Sequence, residues 1–165
     1  MSVKKITFAF VVAVVVTIGL IAGNHSFASH GAGANALEGG WKVRITATAL
    51  PPLDELITFS AGGGIVETNN FPFHRLEPQP LAAGPGHGTW KYDGRQRFSF
   101  TFIKFLFLPN GDAAGTLKVI GEITYSPADD TWSGPATVST CDTMANNCVF
   151  LDTTNGQATR IVAGQ

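Results

Sequence analysis

The chain has 165 residues, of which only 14% are charged, and its formal net charge is −1. This length fits a single domain. The charge balance provides no basic stripe for nucleic acid and no polybasic patch for an anionic membrane, so neither is an expected partner.

The first element is predicted to be a secretory leader. MSVKK supplies a positive segment, residues 6–23 form an uncharged apolar run, and Ser26 and Ala28 are small residues suited to a cleavage site. We therefore expect residues 1–28 to be a signal peptide and the protein to be exported. The alternative is an uncleaved N-terminal membrane anchor, because 18 apolar residues nearly span a bilayer. No Cys follows the run, which excludes a lipoprotein anchor there.

The remaining chain is predicted to be all-β. Residues 29–40 are rich in Gly and Ala, lack periodicity and are predicted to be a flexible linker before a domain that spans residues 41–165. From Trp41 onward, apolar and polar residues alternate with a period of two, as in half-buried strands. The nine strand candidates are residues 41–49, 56–60, 64–68, 88–92, 97–107, 117–125, 132–141, 147–152 and 157–163.

Turn residues separate most of these strands. Gly62-Gly63-Gly64, Asp93-Gly94, Asn110-Gly111 and Asn155-Gly156 tolerate the positive φ angles of tight hairpins. Successive hairpins predict an antiparallel meander, and a long meander avoids exposed edges by closing on itself. We expect an up-and-down barrel of eight or nine strands, with a two-sheet sandwich as the alternative.

A slip in alternation marks the phenylalanine run FSFTFIKFLF, residues 98–107. A bulge at Ile103–Lys104 would keep all five phenylalanines on one face and turn Lys104 outward. We favour this bulge because burying an unpaired ammonium costs several kcal/mol. The alternative leaves Phe105 and Phe107 on the outside, where an aromatic patch would argue for a homo-oligomer.

The connection at residues 69–88 differs from the others. It contains four prolines and no alternation, yet it is not polar. Long connections of this kind are often lids or binding loops. We predict a lid over the barrel mouth, and a structural plug is the alternative. His74 and Arg75 in this segment are candidates for recognising an anion.

Cys141 and Cys148 bracket a short polar loop between two strand candidates. In an oxidising compartment they are predicted to form a disulfide across the hairpin. Metal binding is the weaker alternative, because no His lies near the two thiols. We expect neither a metal nor a cofactor.

The two ends of the barrel segment resemble the calycin superfamily. Gly39-Gly40-Trp41 opens the first strand and Thr159-Arg160-Ile161 closes the last. Lipocalins begin with a G-x-W strand whose Trp packs beneath a basic side chain, and Trp41 and Arg160 match these positions. The patterns TF-x-x-GG-x-x-x-ET and PGHG-x-W, at residues 58–68 and 85–90, extend the resemblance to bacterial lipocalin-like proteins.

This resemblance implies a lipocalin-like barrel that binds a small molecule. The T-D-Y motif of lipocalins proper is absent, and only four residues follow Ile161, too few for their C-terminal helix. Allene oxide cyclase-type barrels are distant analogues, and they imply that such a scaffold can host cyclisation chemistry.

Few residues are candidates for catalysis. Glu67 shares a strand face with Ile65, and paired with His87 or Arg44 it could form an acid/base dyad. A structural ion pair for Glu67 and a backbone-bonded turn for His87 are the alternatives. The candidate ligand contacts are Trp41, Phe73, His74, Arg75, Trp90, Tyr92, Phe98, Phe100 and Phe102. Core filling is the favoured interpretation of the aromatic residues, and exposed loop polarity is that of His74 and Arg75.

The leading functional hypothesis is therefore an exported barrel that binds a small apolar or amphipathic molecule in its lumen or under the 69–88 segment. A cofactor-free isomerase or cyclase and a structural envelope protein with a packed core are the alternatives.

Overall fold

The computed structural model describes residues 33–48, 51–70, 73–76 and 79–164, and it gives only the backbone of residues 73–76 and 79. All the regular structure in these ranges is extended, with no helix. The nine strands are β1 Gly39–Ala47, β2 Leu53–Ser60, β3 Gly64–Asn69, β4 Phe73–Leu76, β5 Gln79–Gly94, β6 Arg97–Phe107, β7 Ala113–Ser126, β8 Thr131–Cys141 and β9 Cys148–Arg160.

The strands form an antiparallel meander that closes into an eight-stranded barrel. The hydrogen-bonded order is β3-β2-β1-β9-β8-β7-β6-β5-β4, and β3 also pairs with β5. The first and last strands meet in register, with Trp41 opposite Arg160 and Ala47 opposite Thr154. The predicted up-and-down barrel is confirmed, and the sandwich alternative is wrong. Closure pairs the edges that an open sheet of this length would expose.

The predicted 69–88 connection is wrong for its second half. Residues 79–88 begin the long strand β5, whose first residues pair with β4 in a hairpin beyond the end of β3. Five prolines and glycines of this segment, Pro80, Gly84, Pro85, Gly86 and Gly88, therefore lie within a strand. Residues 71–72 and 77–78 lie outside the described residues, as do the side chains of Phe73, His74 and Arg75.

The predicted turn at Asn155-Gly156 is also wrong, because β9 runs without interruption from Cys148 to Arg160. Gly156 lies opposite Gly134 on β8 and Ile45 on β1. A Cβ atom at this position would lie 3.1 Å from Cζ3 of Trp132. The glycine therefore makes room for a tryptophan in the barrel interior and does not turn the chain.

Strand β6 is regular at the position where the bulge was predicted. Phe102, Ile103, Lys104 and Phe105 pair consecutively with β7, and the shift in register comes later, between Leu106 and Phe107. Lys104 therefore points into the barrel, and only 2% of its side chain is exposed. The bulge prediction assumed an unpaired ammonium, whereas Lys104 has a carboxylate partner that is described below.

Phe105 consequently lies on the outer face, where 57% of the residue is exposed. Its ring centroid is 6.4 Å from that of Phe107. The alternative to the bulge predicted this outer aromatic pair, which lies near the end of β6.

The N-terminal plug, residues 33–38, closes one end of the barrel. Residues 33–37 form turns, and Leu37 is completely buried as part of the hydrophobic core. The indole N–H of Trp41 donates to the Leu37 carbonyl at 2.8 Å. Residues 33–40 of the predicted linker are thus packed against the barrel or paired within it, and residues 29–32 lie outside the described residues.

Arg160 joins the plug to the barrel. Its guanidinium carbon lies 4.2 Å from the Trp41 ring centroid, which is a cation–π contact. It donates through Nη2 to the Ala36 carbonyl at 2.6 Å and through Nη1 to the Glu38 carbonyl. Its Nε atom donates to Asp130 Oδ2 at 2.6 Å, which ties the turn between β7 and β8 to the same point. Arg160 and Trp41 therefore occupy the closed end together.

The disulfide between Cys141 and Cys148 is confirmed, and the described residues contain no free cysteine. The two residues are directly opposite each other at the ends of β8 and β9. The bridge therefore fixes the hairpin at the barrel end away from the plug.

The predicted leader, residues 1–28, lies outside the described residues. In the described ranges, no helix is long and apolar enough to cross a membrane.

Replacing Arg160 with Ala is expected to lower the free energy of unfolding by about 2–4 kcal/mol, because it removes charge-assisted hydrogen bonds together with the cation–π contact. Urea denaturation measures this loss. The matched control is Arg44→Ala, which breaks an exposed ion pair to Asp54 and is expected to cost less than about 1 kcal/mol. Equal losses in the two variants would show that the Arg160 contacts do not hold the plug.

Candidate functional site

A cavity lies in the half of the barrel interior away from the plug. Its volume, measured as the space open to the centre of a water molecule, is about 60 Å³. A single water needs roughly 10–15 Å³ of such space, so roughly four to six waters or a ligand group of similar size would fit. The apolar wall comes mainly from β7, β8 and β9 and includes Leu117, Val119, Trp132, Ala136, Val138 and Leu151.

Opposite this apolar wall, β2, β3 and β6 contribute three polar side chains, Glu55, Asn69 and Lys104. They line the cavity because each occupies an inward-facing position in the alternation of its strand. Glu55 lies between the buried Leu53 and Ile57, and Asn69 is its direct partner across the β2–β3 ladder. Two neighbouring strands therefore bring a carboxyl and an amide to the same patch of the interior.

Lys104 forms an ion pair with Glu67 of β3. Its Nζ atom is 2.7 Å from Oε1 and 2.6 Å from Oε2 of Glu67. Both side chains are buried, with 2% of Lys104 and none of Glu67 exposed. Gly86 of β5 lies between them in the ladder, opposite both residues. A Cβ atom on Gly86 would lie 2.7 Å from Glu67 Oε2, so this position leaves space for the carboxylate.

The two carboxyl groups of this charged cluster (Glu55, Glu67 and Lys104) hold protons more tightly than usual. Burial raises the pKa of Glu55 to about 8, with a further contribution from the nearby Glu67 charge and a partial offset from Lys104. Burial also raises the pKa of Glu67, but Lys104, the Gly86 backbone N–H and the Asn69 side chain oppose that shift. Near neutral pH Glu55 therefore retains its proton in most molecules.

Such a group can exchange a proton with a bound molecule. Glu55 faces an apolar space, and its pKa lies near the pH at which most proteins work, which is the condition for general acid or base chemistry. Glu67 has no exposed surface, so it acts on a cavity occupant only through its neighbours.

Trp132 also lines the cavity and is 4% exposed. Its indole N–H has no hydrogen-bond acceptor among the described residues, and the nitrogen has less than 1 Å² of accessible surface. The N–H group is therefore covered by protein and is not presented to a ligand. The indole contributes apolar area to the cavity wall.

The sequence-derived site residues whose side chains are described lie in the cavity wall, in the core or away from both. Phe100 and Phe102 line the cavity. Trp41 and Phe98 are buried in the core cluster, and Trp90 packs edge-on against Phe59 while its indole N–H donates to the Ser60 carbonyl at 3.1 Å.

Other sequence-derived candidates lie away from the cavity. Tyr92 is 37% exposed and contacts Phe98 with a ring-centroid distance of 5.1 Å. His87 is exposed on the outer face, where it pairs with Val66 and Ile103. The structure therefore brings Glu67 to Lys104 rather than to His87 or to Arg44, which is paired with Asp54.

Sequence reasoning missed Glu55 as a site residue and placed Lys104 outside. The signal for Glu55 was present, because Leu53, Glu55, Ile57 and Phe59 alternate in LDELITFS. The predicted strand began at Leu56 and so omitted the carboxyl. In the described part of the chain, no group of three or more His, Cys, Asp or Glu residues is arranged to hold a metal ion.

No protein-family model matches the chain, and no curated protein or solved structure shows significant similarity to it.

Breaking the buried ion pair from one side is expected to be costly. Lys104→Met leaves Glu67 buried without its cation, so we expect a loss of about 3–5 kcal/mol in the free energy of unfolding. Adding Glu67→Gln removes the buried charge and is expected to recover part of that loss. Chemical denaturation of both variants gives the two values.

The matched control for this pair is Lys91→Met. Lys91 forms an ion pair with Asp93 at 2.9 Å, but 76% of its side chain is exposed. We expect a change below about 1 kcal/mol. A double variant less stable than Lys104→Met would contradict the proposed cost of the unpaired carboxylate.

The raised pKa of Glu55 predicts that stability falls as the pH rises. The folded protein binds this proton more tightly than the unfolded chain, whose carboxyl has its usual pKa of 4.5. The stabilising contribution is complete below pH 4.5 and is lost as the pH rises through about 8. Urea denaturation between pH 4.5 and pH 9 should show this fall, and Glu55→Gln should reduce it.

Glu122→Gln is the control for the pH series, because Glu122 lies on the outside with 66% of its side chain exposed. It is expected to leave the slope unchanged. If wild type and Glu55→Gln show the same dependence on pH, Glu55 does not carry the shifted proton.

Proposed function

We propose that this protein is a lipocalin-like barrel that binds a small apolar or amphipathic molecule in the cavity away from the plug. The observation that carries the proposal is the cavity itself, with one apolar wall and one charged cluster. Apolar walls favour burial of ligand surface by about 25 cal/mol per Å², while a few polar groups fix the orientation of the ligand.

The size of the cavity favours a small occupant, or a small terminal group of a longer one. Typical ligand pockets enclose roughly 300–1,000 Å³, well above the space available here. The barrel end away from the plug carries strand β4, the start of β5 and residues 51–52. A ligand that enters from this end places its terminal group next to Glu55, and any longer part extends towards the hairpin.

The Trp41–Arg160 contact supports the lipocalin-like assignment. The G-x-W tryptophan lies beneath a basic residue from the last barrel strand, as the resemblance implies. We further propose that the protein is exported, on the basis of the leader at residues 1–28 and the disulfide at the end of the β8–β9 hairpin.

A second candidate function is proton-transfer catalysis, as in an isomerase or cyclase without a cofactor. The observation that favours it is Glu55, an acid whose pKa is raised to about 8 at the wall of an apolar cavity. In this case Glu55 replaces Glu67 and His87 as the acid or base. The two candidates differ in whether a bound molecule leaves the barrel chemically changed.

Native mass spectrometry of protein purified from its own host tests the binding function. We expect a co-purifying small molecule on the wild type and its loss from Ala136→Leu, because the added carbons fill the cavity that Ala136 lines. The fold should persist in this variant, because the new side chain enters space that is already present.

The matched control is Thr137→Leu, which adds a leucine at the next residue on the outer face of β8. This variant should keep the molecule. A wild type without any bound molecule, or a molecule that remains on Ala136→Leu, would contradict the lumen as the binding site.

A further inference from the structure

The charged cluster contains more carboxyl groups than cations. Lys104 is its single ammonium, and both oxygens of Glu67 lie within 2.7 Å of the Nζ atom. None of the ion pairs within the described residues includes Glu55. Glu55 is therefore the carboxyl group that faces the cavity without a cation of its own.

Among the side chains that the structure describes, the strands around Glu55 supply no other cation to this part of the interior. On β1, the inward residues are Trp41, Val43 and Ile45. On β3 they are Ile65, Glu67 and Asn69, and on β5 Gly86 fills the position between Glu67 and Lys104. The two basic residues of β1, Lys42 and Arg44, point outward.

Strand β9 adds a further carboxyl towards the same end of the barrel. Asp152 is buried, and its Oδ1 atom accepts a hydrogen bond from the Thr153 N–H at 2.7 Å. Asp152 does not line the cavity, whereas Lys104 lines it and is already engaged by Glu67.

The charge of the ligand follows from this arrangement. An anionic head group would approach Glu55 and Glu67 with no available cation among the described side chains, so burial would be opposed by like charges. A neutral head group would leave Glu55 protonated. A cationic head group would pair with ionised Glu55, while Glu67 and Lys104 compensate each other behind it.

Building on the proposed binding function, we propose that the ligand is a small apolar amine, with its ammonium group against Glu55 and its hydrocarbon part in the cavity. The amine then takes the place of the Glu55 proton, and that proton is released to solvent. The structure thereby assigns Glu55 as the residue that selects the head group.

Three probes with the same hydrocarbon chain test this proposal: butylamine, 1-butanol and butyrate. NMR titration of the wild type, followed at the Trp132 indole and the Glu55 carboxyl carbon, should show tightest binding for butylamine. Because binding releases one proton from a group with a pKa of about 8, butylamine affinity should rise roughly fiftyfold between pH 6 and pH 8. The amine itself stays protonated over this range.

Variants of the protein distinguish the contribution of the ligand head group to binding from the contribution of the cavity. Glu55→Gln should abolish the pH dependence of butylamine binding and weaken butylamine more than 1-butanol, whereas Glu122→Gln should behave like the wild type. The wild type alone provides a second readout that needs no variant, because saturating butylamine should move the titration of the Glu55 carboxyl carbon to lower pH.

The outcomes of these experiments distinguish failure of the amine proposal from failure of the binding function. If 1-butanol or butyrate binds as tightly as butylamine, or if butylamine leaves the Glu55 titration in place, the amine proposal is overturned and the binding function stands. If none of the three probes binds the wild type but Ala136→Leu still loses a molecule acquired in the host, the amine proposal is also overturned. If no probe binds and no molecule co-purifies, the binding function itself is wrong.

Discussion

The ion pair between Lys104 and Glu67 determines how the barrel interior is organised. Its members lie on β6 and β3, which are separated by β5, so the pair forms only when the ladders on both sides of β5 are in one register. Gly86 lies at the crossing point, because a larger residue would collide with the carboxylate. A one-residue slip in either ladder would move one partner to the outside and leave the other buried alone. The pair therefore specifies the register even if it adds little net stability.

The interior has two halves because the sizes of its residues differ. Near the plug, Trp41, Phe59 and Trp132 make edge-on contacts with ring-centroid distances of 6.3 Å. Further along the same barrel, Gly134 and Ala136 take the corresponding inward positions of β8 and leave the space that forms the cavity. The large rings account for the packing of the closed end, and the small residues account for the cavity.

The period-two pattern predicted the barrel well, because it depends only on which face of each strand is apolar. The turn residues between the strands predicted the meander and its closure, and the resemblance of the G-x-W strand to lipocalins predicted the meeting of Trp41 with Arg160. Glycine was harder to interpret, since Asn155-Gly156 has the sequence of a tight turn but lies in the middle of β9. A glycine required for a turn and one required beside a large ring have the same local sequence, and only the packing against Trp132 distinguishes them.

The charged cluster was harder still to predict, for a physical reason. The argument against a buried Lys104 was sound for an unpaired ammonium, but its partner lies 37 residues away in the chain. Alternation alone places a lysine or glutamate on an apolar face without showing whether they meet. Once Lys104 and Glu67 are paired, Glu55 has no second lysine to neutralise it in the described interior. A proton neutralises it instead, or a cationic ligand does so in the proposed complex. The chemistry of the cavity thus depends on how many buried carboxyl and ammonium groups meet there. The closed barrel shows which of these groups meet.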